Sequence, residues 1–170
     1  MRPPALLRPP AAGRHGESGA TLVELLLAVA LSAVVMTMLG TAVFQFYSIS
    51  SWGQARLAVL KDLQTAGLWL GRDAQEAAAF VPGAGTVYGT FRWSDASIEF
   101  RYSYSPADQA LVREAIAGSI VQSTLFVARH IASQGDVTFS PSGKRVAVTL
   151  TSTSGSVTAS NTLTLTMRVP

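Results

Sequence analysis

"HGESGATLVELLLAVALSAVVM", residues 15–36, decides how the rest of the chain is read. It opens on a small polar cluster, turns apolar at Leu22, and carries one carboxylate, Glu24, just inside the apolar run. A charge in hydrocarbon is costly unless it is paired or stays near the headgroup boundary. From Leu25 to Phe46 there are 22 residues without a charge. As a helix these rise about 33 Å, enough to cross a hydrocarbon layer of ~30 Å.

The segment before it, "MRPPALLRPPAAGRHGESG" (1–19), holds four prolines, three glycines and three arginines, a composition that packs no core. Its positive charge favours an N-terminus held on the cytoplasmic side, with the C-terminal part outside. An ordinary secretory signal places its small-residue cleavage box after the apolar run, whereas here "GESGA" precedes it. A cleaved signal using "AVALSA" or "GTA", and a plain uncleaved anchor, are the competing readings.

The run "GATLVEL" at 19–25 resembles the prepilin cleavage motif of type IV pilins and type II secretion pseudopilins. The resemblance implies that a membrane-embedded prepilin peptidase cuts after Gly19 and that the new amine, on Ala20, is methylated. It implies that Thr21, Leu22 and Glu24 belong to the assembly surface, with Glu24 pairing with the terminal amine of a neighbouring subunit. The family usually has phenylalanine where this chain has Ala20. Partners so implied are other pilin or pseudopilin subunits, the peptidase, an inner-membrane assembly platform and membrane lipid. The expected location is the cytoplasmic membrane, single-pass, with the C-terminal domain extracytoplasmic, and then the filament. The bland alternative is that Glu24 snorkels, or caps the first turn where an acid suits the helix dipole.

No proline interrupts residues 20–80, so the helix is expected to continue beyond the membrane. Leu57, Leu60, Leu63, Leu70, Ala74 and Ala77 recur at helical steps, and Lys61, Asp62, Arg72, Asp73 and Glu76 are assigned to the opposite, polar face. The weakest stretch is "YSISSWGQ" (47–54), a local bend or the point where the helix leaves the bilayer. "VPGAGTVYG" (81–89) is expected to end the helix through Pro82 and its glycines. "SIEFRYSY" (97–104) alternates as a half-buried strand, "SPADQ" is a turn and "ALVREA" a strand. Around Thr124–Ile131 a short helix or loop is expected. "DVTFS", the turn "PSGK" and "RVAVTLT" form a hairpin. "STSGSVTASN" is a loop, and in "TLTLTMRV" Leu163, Leu165, Met167 and Val169 alternate with polar residues.

The division so reached is a leader (1–19), a transmembrane and assembly helix (20–46), its amphipathic continuation (47–80) and a β-rich domain (81–170). One long N-terminal helix against an antiparallel sheet is an α+β layout, and it is also the pilin layout. Arg72–Asp73, "IEFRY", "LVR" and the late "LTLTMRV" further resemble J-type minor pseudopilins and PilW-type minor pilins. That likeness implies a place at or near a filament tip.

Beyond the leader the chain has ten basic and nine acidic side chains, a balance with no electrostatic footprint for nucleic acid. A DNA-uptake pilin would need an exposed basic stripe, for which Arg92, Arg101 and Arg113 are the candidates. A membrane-anchored binding domain unrelated to filaments is the third reading, and it predicts no dependence on Gly19 or Glu24. The absence of cysteine excludes disulfides and thiolate chemistry. His15 lies in the leader and His130 stands alone. Asp95, Glu99, Asp108 and Glu114 lack the spacing of a calcium loop. "GAGTVYG" and "PSGKR" lack the strand–loop–helix setting of a phosphate site. No nucleophile–base pair is legible, so the chain is read as a non-enzyme without cofactor or metal.

Overall fold

One helix of 55 residues, α1 (Leu22–Glu76), opens the computed structural model, which describes residues 21–94 and 97–168. The expected leader, Gly19, Ala20, Asp95 and Val169 lie outside the described residues. The chain divides into two units, one ending at Gln45 and the other starting at Phe46. In the first, every described residue is exposed and helical from Leu22 onward, and α1 is long and apolar enough to cross a membrane.

The second unit begins with the rest of α1 and continues, among the described residues, through eight strands. The first five are β1 (Ala79–Pro82), β2 (Val87–Arg92), β3 (Ile98–Ser105), β4 (Ala110–Ala117) and β5 (Ile120–Ala128), an antiparallel meander in sequence order. After a short 3-10 turn, Gln134–Asp136, come β6 (Val137–Ser142), β7 (Arg145–Ser154) and β8 (Val157–Thr166), a second antiparallel sheet. The layout is α+β and pilin-like, as the hydropathy pattern predicts.

The helix buries Val59, Leu63, Ala66, Leu70 and Ala74, joined by Ala77 just after it, in one core with residues of both sheets. Phe91, Phe100, Tyr102, Leu111 and Val127 come from the first, and Val137, Val146, Val148, Leu150 and Leu165 from the second. Full burial of each large side chain contributes about 1.5–3 kcal/mol. Phe139 of β6 stacks on Phe80 with centroids 5.6 Å apart and on Tyr88 at 5.5 Å, so aromatic contacts tie the two sheets together. Gly89 makes room for that cluster, because a Cβ there would meet Phe80 Cζ at 2.2 Å.

Several sequence expectations need correction. The helix runs through 47–54 and ends at Glu76, not near residue 80, with the Ala77 N–H making the last i→i−4 bond, to the Asp73 carbonyl at 3.0 Å. The Ala78 N–H donates to the Arg92 carbonyl at 2.8 Å, so pairing with β2 captures the chain before Pro82 can act as terminator. Propensity in the run of alanines is overridden by this tertiary contact. Residues 81–89 therefore do not end the helix; they supply the end of β1 and the start of β2.

Thr124–Ile131 is not a helix or loop: residues up to Ala128 are β5, paired with β4. Two register shifts in that pairing break the alternation that marks a strand. "STSGSVTASN" is not a loop either, because β7 and β8 pair as far as Ser154 and Val157. Gly155, at φ 57°, turns the chain in two residues. The hairpin at 137–151 and the strands at 98–105 and 110–117 form where the alternation predicts them.

The leucine stripe is also redrawn. Leu57 is 69% exposed and Leu60 40% exposed, while Val59 and Ala66 are fully buried. The true inward set runs Val59, Asp62, Leu63, Ala66, Leu70, Asp73, Ala74, Ala77, at steps of one, three and four residues. It contains two of the carboxylates assigned to the polar face.

Candidate functional site

The predicted assembly residues cluster at the start of α1. The Thr21 hydroxyl accepts the Glu24 backbone N–H at 3.3 Å, and the Thr21 carbonyl accepts that of Leu25 at 3.1 Å. Thr21 thus caps the helix, one of the residue types suited to that place. Capping by the threonine leaves the Glu24 carboxylate with no hydrogen-bond or ion-pair partner among the described residues. Leu22 is exposed beside it.

Along one face, Glu24, Leu25, Ala28, Val29, Ser32, Ala33 and Met36 line a shallow depression of about 670 Å³. The small side chains of Ala28, Ser32 and Ala33 sit at spacings that let another helix approach closely. Polar groups in this segment are satisfied locally. The Ser32, Thr37 and Thr41 hydroxyls donate to carbonyls four residues back at 2.7, 2.8 and 2.9 Å. Such back-bonding leaves no hydroxyl proton unmet in an apolar setting. The Glu24 carboxylate, by contrast, has no side-chain partner among the described residues.

A second set of polar residues lies in the core of the C-terminal unit. Asp73 accepts from Arg113 Nε at 2.6 Å and Nη2 at 2.8 Å, and from the Tyr102 hydroxyl at 2.6 Å. The Arg113 guanidinium carbon lies 4.5 Å from the Trp69 ring centroid and 4.4 Å from that of Phe100. Burial alone would lower the pKa of Arg113, but the hydrogen bonds and charge of Asp73, aided by Tyr102, hold it above its ordinary value. Burial first, then the Asp73 charge and hydrogen bond, push the Tyr102 phenol well above 10.0. Burial, with Tyr104 and Asp136 nearby, raises Tyr88 as well.

Asp62 is the counterpart one helix segment earlier. Its Oδ2 accepts from the backbone N–H groups of Arg129 and His130 at 3.0 and 2.9 Å and from the Ser152 hydroxyl at 3.2 Å. His130 Nδ1 lies 2.8 Å from the same oxygen, and since a carboxylate only accepts, Nδ1 carries the proton. The lone histidine is therefore held by the fold. Asp62 and Asp73 are eleven residues apart, three helical turns, which places both on the inward face. The sequence reading missed this network. Its available signal was that both aspartates share the helical phase of the buried leucines.

Arg92, Arg101 and Arg113 do not form a basic stripe, since each is matched with a carboxylate. Arg92 Nε lies 2.9 Å from Glu99, off the line of a hydrogen bond, Arg101 Nε lies 2.7 Å from Glu114, and Arg113 is buried on Asp73. Asp108 accepts from Ser105. Among the described residues no three histidine or acidic groups converge on a metal-sized space.

Residues 14–40 match a family model described as the prokaryotic N-terminal methylation motif. That match covers residues 14–19 of the expected leader, Ala20–Glu24 and most of the apolar run, and it supports a pilin- or pseudopilin-like role with membrane anchoring through the N-terminal helix. No curated protein and no solved structure matches the chain.

Proposed function

We propose that this chain is a minor pilin or pseudopilin, a structural subunit of a type IV pilus or a type II secretion pseudopilus. A prepilin peptidase cuts between Gly19 and Ala20, and the Ala20 amine is methylated. Residues 20–46 hold the subunit in the cytoplasmic membrane as a single span, with the C-terminal domain on the far side. Other subunits and the inner-membrane assembly platform then take it up through that helix, with Thr21, Leu22 and Glu24 in the contact.

The observation that carries this reading is the Glu24 carboxylate, without a partner among the described residues, on an exposed, capped, apolar helix within the matched motif. A neighbouring Ala20 amine neutralises it and sets the register between subunits, a role for which buried charge pairs are better suited than for raw stability. Three of the four segments behind the J-type and PilW-type likeness come together in the core of the domain. They supply Asp73, Tyr102 and Arg113, which meet in a single buried network.

Intact mass with N-terminal peptide mapping of the protein extracted from its native membranes tests the proposal. A mature chain that begins at Ala20, is one methyl heavier, and is lost in Gly19→Ala supports it. A chain beginning at Met1, or cut after the apolar run, rejects it in favour of an anchored or secreted domain.

A further inference from the structure

The end of the uncharged run carries a second feature, distinct from the Glu24 end. No charged residue occurs between Glu24 and Arg56. Just before Arg56, Phe46, Tyr47, Ile49 and Trp52 are 77%, 74%, 71% and 49% exposed. At about 100° per residue they project near 0°, 100°, 300° and 240° around the helix axis. A partner helix or the protein's own core needs apolar groups on one face. A ring of them on all sides suits a surrounding layer.

The chemistry of the ring specifies that layer. The Tyr47 hydroxyl and the Trp52 indole N–H have no partner among the described residues, and Ser48, Ser50 and Ser51 lie between them. Amphipathic aromatics with a wet tip and an apolar body favour the boundary between hydrocarbon and headgroups. Phe46 to Trp52 is six residues, about 9 Å of helix, comparable to one headgroup layer. Arg56 stands over the Trp52 ring at 5.3 Å and has no carboxylate partner among the described residues. It also borders a cavity of about 210 Å³ lined by Val59, Leu60, Val157, Thr158 and Ala159. A guanidinium whose only described neighbour of this kind is an indole face keeps its N–H fork available, and that fork matches phosphate oxygens.

We infer that Phe46–Arg56 is an interfacial collar that holds the subunit at the outer leaflet before assembly, with Arg56 binding a phospholipid phosphate. This rests on the membrane-anchored reading above, and the test separates the two. The full chain is reconstituted into phosphatidylethanolamine–phosphatidylglycerol vesicles, and its tryptophan fluorescence is quenched by lipids brominated near the headgroup or near the chain end. The difference between the natural chain and Trp52→Phe isolates Trp52. Carbonate extraction of the same vesicles reports whether the helix spans.

The expected result is retention after carbonate and stronger quenching of Trp52 by the shallow label. In Arg56→Gln the interface-bound population of Trp52 falls about fivefold, the effect of one lost basic contact with an anionic surface. Retention with Trp52 quenched by aqueous iodide and not by brominated lipid overturns the collar alone. Shallow quenching unchanged in Arg56→Gln overturns the phosphate contact. Extraction by carbonate overturns the anchored reading itself.

Discussion

Arg113 and Asp73, 40 residues apart in sequence, are joined by two hydrogen bonds of 2.6 and 2.8 Å in the core, with side chains 7% and 0% exposed. The pair fastens the last turns of α1 to β4, and Tyr102 of β3 adds its hydroxyl to the same carboxylate. A buried ion pair is a weak source of net stability, but losing one member leaves a charge stranded. Asp73→Ala is therefore expected to destabilise the domain by about 3–5 kcal/mol, and Arg113→Leu with Asp73→Leu together by much less. Denaturant unfolding of the full chain in detergent, followed by near-UV circular dichroism, checks this. Equal losses in the single and double variants would show that the pair is not a coupled unit.

The alkaline limb of stability follows from Tyr102. Its folded-state pKa is raised, by burial first and then by Asp73. Its contribution is therefore complete below the unfolded value near 10 and is lost as pH rises toward the folded one. Above pH ~10 the unfolded chain sheds a proton that the folded chain keeps, so stability falls by up to about 1.4 kcal/mol per pH unit for this group. Tyr88, raised chiefly by burial, acts in the same direction. Unfolding midpoints between pH 9 and 12 are expected to decline, and less steeply in Tyr102→Phe. Identical slopes would remove Tyr102 from the explanation.

Asp62 holds backbone rather than a single partner. Asp62→Ala strips the acceptor from the Arg129 and His130 N–H groups and from the Ser152 hydroxyl, at a cost of about 1–3 kcal/mol for each donor left buried and unmet. Hydrogen exchange by mass spectrometry is expected to show faster exchange over 129–131 while β3 and β4 keep their protection. Uniform loss of protection would mean that Asp62 supports the whole domain rather than this connection.

The two ends of the apparent leucine stripe separate burial from pattern. Leu70 is fully buried, so Leu70→Ala is expected to cost about 2–5 kcal/mol. Leu57 is 69% exposed, so Leu57→Ser is expected to change subunit stability by less than about 0.5 kcal/mol. Comparable losses in the two variants would contradict the helical phase observed here.

On the functional side, Glu24→Ala is expected to leave cleavage after Gly19 intact. Crosslinking of the subunit to its neighbours should drop about tenfold or more, the effect of losing about 1.4 kcal/mol of contact energy. Because the chain has no cysteine, single cysteines introduced along 25–40 give a clean readout. Undiminished crosslinking would reduce Glu24 to a surface acid.

The sequence by itself determined the long helix, its membrane-length apolar first part and the antiparallel β-rich remainder. Each is written in a local period, a continuous apolar run from Leu25 or an alternation such as that of 98–104. The motif around Gly19–Glu24 was legible for the same reason, being contiguous. Only the tertiary structure decided where the helix ends, because the Ala78 N–H is taken up by the Arg92 carbonyl of β2, outside the reach of any local helical period. It alone showed β5, whose alternation is broken by register shifts against β4, and the extended β7–β8 hairpin, whose serines and threonines resemble loop. It also reversed the reading of Asp62 and Asp73. A charged side chain is placed outward by default because desolvating it is costly. That cost is met here by Arg113, Tyr102, Ser152, the His130 ring and the 129–130 backbone, partners that lie 29 to 90 residues away along the chain and that no local pattern announces.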